Sequence, residues 1–390
     1  MRAGIAALIA AYVLSQFYRA FLAVLTPVLG QDIGASAADL ASASGYWFLA
    51  FAVMQLPVGF ALDRIGPRLT SAIPLAIGGG GGAALFALAE GPAAIQVAMA
   101  LIGVGCSPVL MGSFYIFART YAPAVFTTLA GVTIGIGSLG NIGASLPLTM
   151  AVDAFGWRTT VWALSIVTFA IAVLLFVLIR DPEKVEGAQK GSLLDLLKMP
   201  ALWPVLIMMA ACYAPAAAIR GLWIGPYYRD VFGADAALIG QASLIMGLAM
   251  VAGNFAYGPL ERLFKTRKGV ILAGNLLTLA CFVGLWLMPS LGGWSTLALL
   301  AGVGFFGASF PITVAHGRAF IPPHLIGRGV TLLNLFGIAA TGLLQLVTGR
   351  VHAAVVPEPA TAPFTALFAL MAVWITVGLA IYVFSQDRTD

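Results

Sequence analysis

Apolar residues run through this chain in long stretches, broken by short polar turns, from one end to the other. A helix needs about 20 apolar residues to cross the hydrocarbon of a bilayer. On that measure the pattern predicts twelve spanning helices: 3–30, 41–62, 70–89, 93–118, 127–150, 159–180, 201–228, 236–261, 269–289, 294–317, 327–349 and 361–385. The longest connection, 181–200 (DPEKVEGAQKGSLLDLLKMP), is polar. It separates a first six-helix bundle, 1–180, from a second, 201–390. The first apolar run is too long for a signal-peptide core and lacks a cleavage site, so it reads as a span.

Composition agrees with this pattern. Hydrophobic residues make up 61% and charged residues 9%, against roughly 25% charged in a soluble domain. The expected fold class is an all-α membrane protein, with the bilayer as its surroundings. The net charge of +5 is no nucleic-acid signal, because the basic residues follow the membrane. With the N-terminus inside, fifteen lie on the cytoplasmic side: Arg2, Arg64, Arg68, Arg119, Arg180, Lys184, Lys190, Lys198, Arg262, Lys265, Arg267, Lys268, Arg318, Arg328 and Arg388. Only Arg158, Arg229 and Arg350 lie outside. That asymmetry places both termini in the cytoplasm of a bacterial inner membrane. Cys106, Cys212 and Cys281 lie inside apolar runs, so neither a disulfide nor a thiolate metal site is expected.

The halves repeat. Asp63-Arg64 corresponds to Glu261-Arg262, Arg119-Thr-Tyr-Ala-Pro123 to Arg318-Ala-Phe-Ile-Pro322, and GASAADLA from Gly34 to GADAALIG from Gly233. The offsets are 198 or 199 residues. Such internal symmetry is common among secondary transporters.

The stretch Gly59-Phe-Ala-Leu-Asp63-Arg64-Ile-Gly66-Pro67-Arg68 resembles the G-x-x-x-D-R-x-G-R-[RK] loop of the major facilitator superfamily. Gly156-Trp157-Arg158 is similar to a G-W-R turn of that family and reads as structural. The resemblance implies a pseudo-symmetric carrier with spans one and seven lining a central cavity. It also implies a cytoplasmic latch, with Asp63 pairing Arg119 and Glu261 pairing Arg318, and with Arg64, Arg68 and Arg262 in the same network. Two family features of drug antiporters are missing. No Arg precedes Gly103-Val-Gly105, and span five lacks the antiporter Gly-Pro. The formal G-x-G-x-x-G at Gly135, Gly137 and Gly140 has no preceding strand, so it reads as close helix packing. The run Gly78 to Gly82 is read alike, as packing or bending.

Two basic residues remain, Arg19 (SQFYRAF) and Arg220 (AAAIRGLW), each in mid-span and 201 residues apart. A charge near the bilayer centre costs about 2.5–3.5 kcal/mol on insertion scales. All fifteen acids fall in loops or at helix ends, so no midplane carboxylate is available to neutralise either Arg. A guanidinium grips carboxylate or phosphate with two bonds. The family's glycerol-phosphate and hexose-phosphate antiporters resemble this chain in having one Arg on each of these spans. Their span-five His is absent here.

The expected function is therefore secondary transport of a small anion by alternating access, one anion bridging Arg19 and Arg220. Gln16, Tyr18, Gln55, Tyr115, Asn141, Tyr213, Trp223, Tyr227, Asn254, Tyr257 and Asn334 are candidates to complete the site. His316 reads as a gate or packing residue. The missing midplane acid favours anion exchange, or protons carried with the substrate, over a carboxylate relay. The alternatives are copper transport through Met246 and Met250 at i and i+4, and drug or metabolite export. No catalytic constellation, resident metal, cofactor or nucleic-acid partner is expected, and a monomer is. Cysteine labelling from outside intact spheroplasts should miss Lys190→Cys and reach Gly292→Cys; the opposite pattern overturns the orientation.

Overall fold

Inside hydrocarbon a backbone amide has no water to bond, so a spanning segment must satisfy its N–H and C=O groups internally. The computed structural model describes residues 2–121, 123–182, 193–322 and 326–388. Every regular element among them is helical. Ten helices are long and apolar enough to span, and two bent pairs bring the number to twelve.

The chain forms two compact units. One holds Met1–Glu186 with Ile239–Gln241, the other Gly187–Leu238 and Ala242–Asp390. The first unit begins with α1 (Arg2–Tyr18) and α2 (Leu22–Ile33), bent by 53° at the break between them. Then come α3 (Ala37–Arg64) and a third span made of α4 (Pro67–Pro74), a π-helical stretch (Leu75–Gly80) and α5 (Gly81–Ala87). The unit continues with α6 (Pro92–Thr120), α7 (Pro123–Gly143), α8 (Leu146–Phe155) and α9 (Trp157–Leu178). The 44° bend between α7 and α8 has a local cause. Pro147 has no N–H for the Gly143 carbonyl, and its ring crowds that carbonyl.

The second unit carries a short α10 (Leu193–Leu197) ahead of its first span. That span strings together α11 (Trp203–Cys212), α12 (Ala214–Ala218), a π-helical stretch (Ile219–Trp223) and α13 (Ile224–Phe232). After it come α14 (Ala236–Phe264), α15 (Arg267–Leu287), the pair α16 (Gly293–Phe306) and α17 (Phe310–Arg318), α18 (Ile326–Ala354) and α19 (Ala362–Tyr382). Pro215 and Pro311 interrupt their spans as Pro147 does, by withholding one N–H and crowding the carbonyl four residues back.

Glycine lets these helices touch. A Cβ on Gly105 of α6 would stand 2.1 Å from the Gly79 nitrogen, and one on Gly78 would stand 2.6 Å from the Leu101 carbonyl. Gly137 and Gly140 bring α7 against Tyr12 and the Val13 carbonyl of α1. Gly78, Gly79, Gly82, Gly137 and Gly140 therefore serve close packing, as the sequence suggests, while Gly135 faces open space. Met246 and Met250 lie against Gly304 of α16, which accounts for the pair as packing between α14 and α16. Trp157 and Arg158 bind the Asp32 carboxylate at 3.0 and 3.2 Å. Arg158 also donates to the carbonyls of Ala87 and Ala89. The G-W-R turn thus ties α9 to the ends of α2 and α5.

The internal repeat reaches the level of single bonds. Gly34 and Gly233 both end a helix in the left-handed region, at φ 65° and 61°. Two residues on, Ser36 and Asp235 cap the next helix. In each unit an acid beyond the sixth span also caps the third. Asp181 accepts from the Arg68 N–H at 2.8 Å. Asp387 accepts from the Lys268 and Arg267 N–H groups at 3.0 and 3.2 Å and from the Thr266 hydroxyl.

Partial burial opposes the charged form of Asp387. The Thr266 hydroxyl and the two N–H groups outweigh it and hold the carboxyl below the usual range. A depressed pKa stabilises the fold fully above the unfolded value, about 3.9, and that stability is lost as pH falls through the lower folded value. Asp387→Ala should therefore destabilise the fold at pH 7 by ~1 kcal/mol, the scale of a lost helix cap, read as a lower unfolding temperature. The deficit should shrink toward pH 3; one that grows on acidification refutes the role.

Candidate functional site

Arg19 lies in the three-residue break between α1 and α2. It is half-buried, and its guanidinium carbon stands 5.2 Å from the Trp47 ring and 5.0 Å from the Phe51 ring. Those two rings stack on each other at 5.2 Å, 22° apart. Both come from α3, one turn apart, so they form one aromatic wall beside the cation. Among the described residues Arg19 makes no ion pair, and its buried Nε makes no hydrogen bond. Gln55, one further turn along the same face, is buried and donates to the carbonyls of Phe51 and Ser107 at 3.2 and 3.3 Å.

Arg220 is 4% exposed and sits on the π-helical stretch of the seventh span. Both mid-span cations thus fall where the backbone departs from a regular α-helix. Interrupted helices of this kind are where transporters build their sites.

Several other candidates are committed to packing. The Tyr18 hydroxyl pairs with Thr168 at 2.9 Å, fixing α1 to α9. Gln16 donates to the Tyr12 hydroxyl on its own helix, at 2.5 Å. The Trp223 indole donates to Gln345 and Thr348 of α18 at 3.1 and 2.9 Å, and its ring lies 4.9 Å from His352. Tyr227 donates to the Pro289 carbonyl at 2.7 Å, with its ring against Phe364 and Phe368. Tyr257 donates to the Phe306 carbonyl and lines an apolar groove of about 450 Å³ between α14, α15 and α16. Tyr213 packs against Phe310 at 5.2 Å. The Tyr115 ring lies 5.1 Å from the Arg119 guanidinium, toward the end of α6. Asn141 and Asn334 are half-buried, on α7 and α18, and Asn254 is exposed on α14.

The expected latch is revised. Glu261 pairs with Arg267 at 2.7 Å rather than with Arg318, which is exposed. The reason is local: the turn from α14 to α15 brings Arg267 back over the last turn of α14. The Asp63 side chain, and with it the expected pair with Arg119, lies outside the described residues. Arg64 lies 4.2 Å from the Phe60 ring and Arg68 4.3 Å from the Phe176 ring, while Arg262 is exposed. His316 accepts from the Tyr382 hydroxyl at 2.6 Å and donates to the Gln386 carbonyl at 2.9 Å. It therefore anchors the segment that carries Asp387.

Ten apolar spans among the described residues, or twelve with each bent pair taken as one span, and an internal repeat define a multi-pass helical membrane protein. The chain belongs to the Major Facilitator Superfamily, whose description matches residues 8–344. It is 23% identical over 378 residues to a probable L-galactonate transporter of Escherichia coli (strain K12), covering 87% of this chain and 80% of that one. It is also 23% identical over 291 residues to a nitrite extrusion protein of Bacillus subtilis (strain 168), covering 70% and 69%. The fold is similar to that of a D-xylose-proton symporter, with a TM-score of 0.78, 13% identity and 98% of each chain covered. A bacterial homolog of the human lysosomal transporter Spinster gives a TM-score of 0.75 at 16% identity, over 97% of this chain and 95% of that one.

Trp47 and Phe51 were not among the sequence candidates, although W-x-x-x-F-x-x-x-Q from Trp47 to Gln55 puts both rings and Gln55 on one helix face. A double-mutant cycle should find coupling between Glu261 and Arg267 of about 0.5–1 kcal/mol, the scale of a partly exposed pair. The same cycle with Arg318 should find none; the reverse result restores the original latch.

Proposed function

We propose that this carrier moves a small anion by alternating access and that Arg19 and Arg220 supply the charge that holds it. The observation that carries this reading is Arg19: a mid-span cation at a helix break, walled by aromatic rings, with no carboxylate paired to it among the described residues. A cation kept in hydrocarbon without a structural counter-ion is placed to meet a mobile one. Arg220 occupies the corresponding span of the second unit and is buried. The names of the two relatives add support, since galactonate and nitrite are both anions although otherwise unlike.

With all fifteen acids in loops or at helix ends, the proposal includes exchange against a second anion, or protons travelling with the substrate. The copper alternative is not favoured, since Met246 and Met250 are accounted for by packing.

Removing one partner of a buried charged contact typically costs about 2–5 kcal/mol, or roughly 30-fold to several-thousand-fold in affinity. Arg19→Ala and Arg220→Ala should each abolish uptake into proteoliposomes while the protein still expresses and folds. Lys at either position should restore only part of it, keeping the charge but losing the planar fork. Wild-type transport by both Ala variants refutes the reading.

A further inference from the structure

The groove beside Tyr257 opens outward from the second unit: of its lining residues, Phe264, Gly269, Ala273 and Leu277 are exposed, while Tyr257 and Val270 are buried. It holds about 450 Å³. Gly274 gives the Tyr257 hydroxyl its place, since a Cβ there would stand 1.9 Å from it. Along α15 the groove runs from Gly269 to Leu277, a rise of about 12 Å at 1.5 Å per residue.

Nothing inside the groove asks for a polar occupant. Tyr257 and Thr266 carry its only polar side chains. The Tyr257 hydroxyl is spent on the Phe306 carbonyl, and the Thr266 hydroxyl bonds Asp387 and accepts from the Gly269 N–H. What fills such a surface in a membrane is hydrocarbon.

The end of the groove at the turn from α14 to α15 has a different character. Between positions 261 and 269 four cations, Arg262, Lys265, Arg267 and Lys268, face one acid, Glu261. Arg267 takes that acid at 2.7 Å, and the Lys268 ammonium donates to the Val383 carbonyl. Lys265 is exposed, makes no ion pair among the described residues, and stands between two lining residues, Phe264 and Thr266. Its backbone is left-handed, at φ 53°, and no other described residue except glycine has a positive φ. Glycine is the usual residue at this place after a helix, and Gly34 and Gly233 fill it elsewhere in the chain. A lysine is therefore kept where glycine would fit with less strain.

We propose that this groove docks a membrane phospholipid of net negative charge, with one acyl chain along the groove and the phosphate at Lys265. Charge complementarity decides the occupant, because an apolar trough that ends at an unpaired cation matches an acyl chain that ends in an anion. The N–H groups of Arg267, Lys268 and Gly269 are already bonded. Selection at the mouth therefore acts on charge and not on the shape of the headgroup.

The test is native mass spectrometry of the purified carrier in detergent. The probes are dioleoyl phosphatidylglycerol and dioleoyl phosphatidylcholine, which share their chains and differ in net charge. The first lipid bound should be phosphatidylglycerol by about fivefold, the scale of one basic residue beside an anionic lipid. Lys265→Gly removes the charge and eases the backbone, so it should fold, and it should bring the ratio within about twofold. Lys265→Arg should keep the preference, and so should Arg180→Gln, which removes an exposed cation of the first unit. Ala273→Phe places a ring in the groove and should cause loss of both lipids. Equal binding of the two lipids by the wild type overturns the proposal, and that comparison needs no variant. A ratio unmoved by Lys265→Gly, or narrowed as much by Arg180→Gln, shows diffuse attraction and overturns it too. So does full lipid retention by Ala273→Phe. Displacement of phosphatidylglycerol by an equal concentration of glycerol phosphate would make this a site for a free anion and end the lipid assignment.

Discussion

Within hydrocarbon every N–H and C=O must find its partner inside the protein, and each group that does not costs several kcal/mol. That constraint makes the spans helical, and it makes each departure from the helix informative. The breaks before Pro147, Pro215 and Pro311 are forced by a ring that removes a donor. The break at Arg19 and the π-helical stretch at Arg220 contain no proline. The break at Arg19 thus has no proline to cause it, whereas the stretch at Arg220 precedes Pro226, whose ring crowds the Leu222 carbonyl.

Regularity elsewhere depends on close approach. Without a hydrophobic drive between helices in lipid, association rests on van der Waals contact and hydrogen bonds, so small residues mark the interfaces. Gly105 on Gly78 and Gly79 brings α6 against the third span, and Gly137 and Gly140 bring α7 against α1. The second contact holds the part of α1 that leads directly to Ser15 and Arg19. Tyr18, bonded to Thr168 on α9, holds the same segment from another side. Tyr18 therefore helps to position its neighbour in sequence, Arg19.

The spans, their number and the repeat could be read from the chain because they follow from runs of apolar residues and from equal spacing, which need no tertiary knowledge. The two cations could be read for the same reason: a charge within an apolar run is visible wherever the helix points. The aromatic and polar partners could not be sorted, because every helix in lipid is apolar all round and the usual period of inward and outward faces is weak. Trp223, Tyr227 and Tyr257 looked like site residues by type, yet each hydroxyl or indole N–H reaches a partner within its own unit. Trp47, which no motif or spacing singles out, flanks Arg19. Glu261 was assigned to Arg318 by analogy with the repeat, but a partner six residues away, Arg267, reaches it first.

The way Arg19 is accommodated bears on the anion site proposed above. A cation–π contact contributes about 0.5–1 kcal/mol at an exposed site and about 2 when desolvated. The insertion cost of the charge is about 2.5–3.5 kcal/mol. Trp47 and Phe51 therefore offset much of the cost without closing it, and they do so without supplying a hydrogen-bond acceptor. A carboxylate in their place would settle the charge fully and would then compete with any incoming anion for the same N–H groups. An aromatic wall keeps the cation tolerable when the site is empty and still leaves it short of a partner. That residual shortfall is the interaction a negatively charged solute can satisfy. On the proposed reading, a shortfall this small leaves the solute free to leave again, which a carrier requires as much as it requires capture.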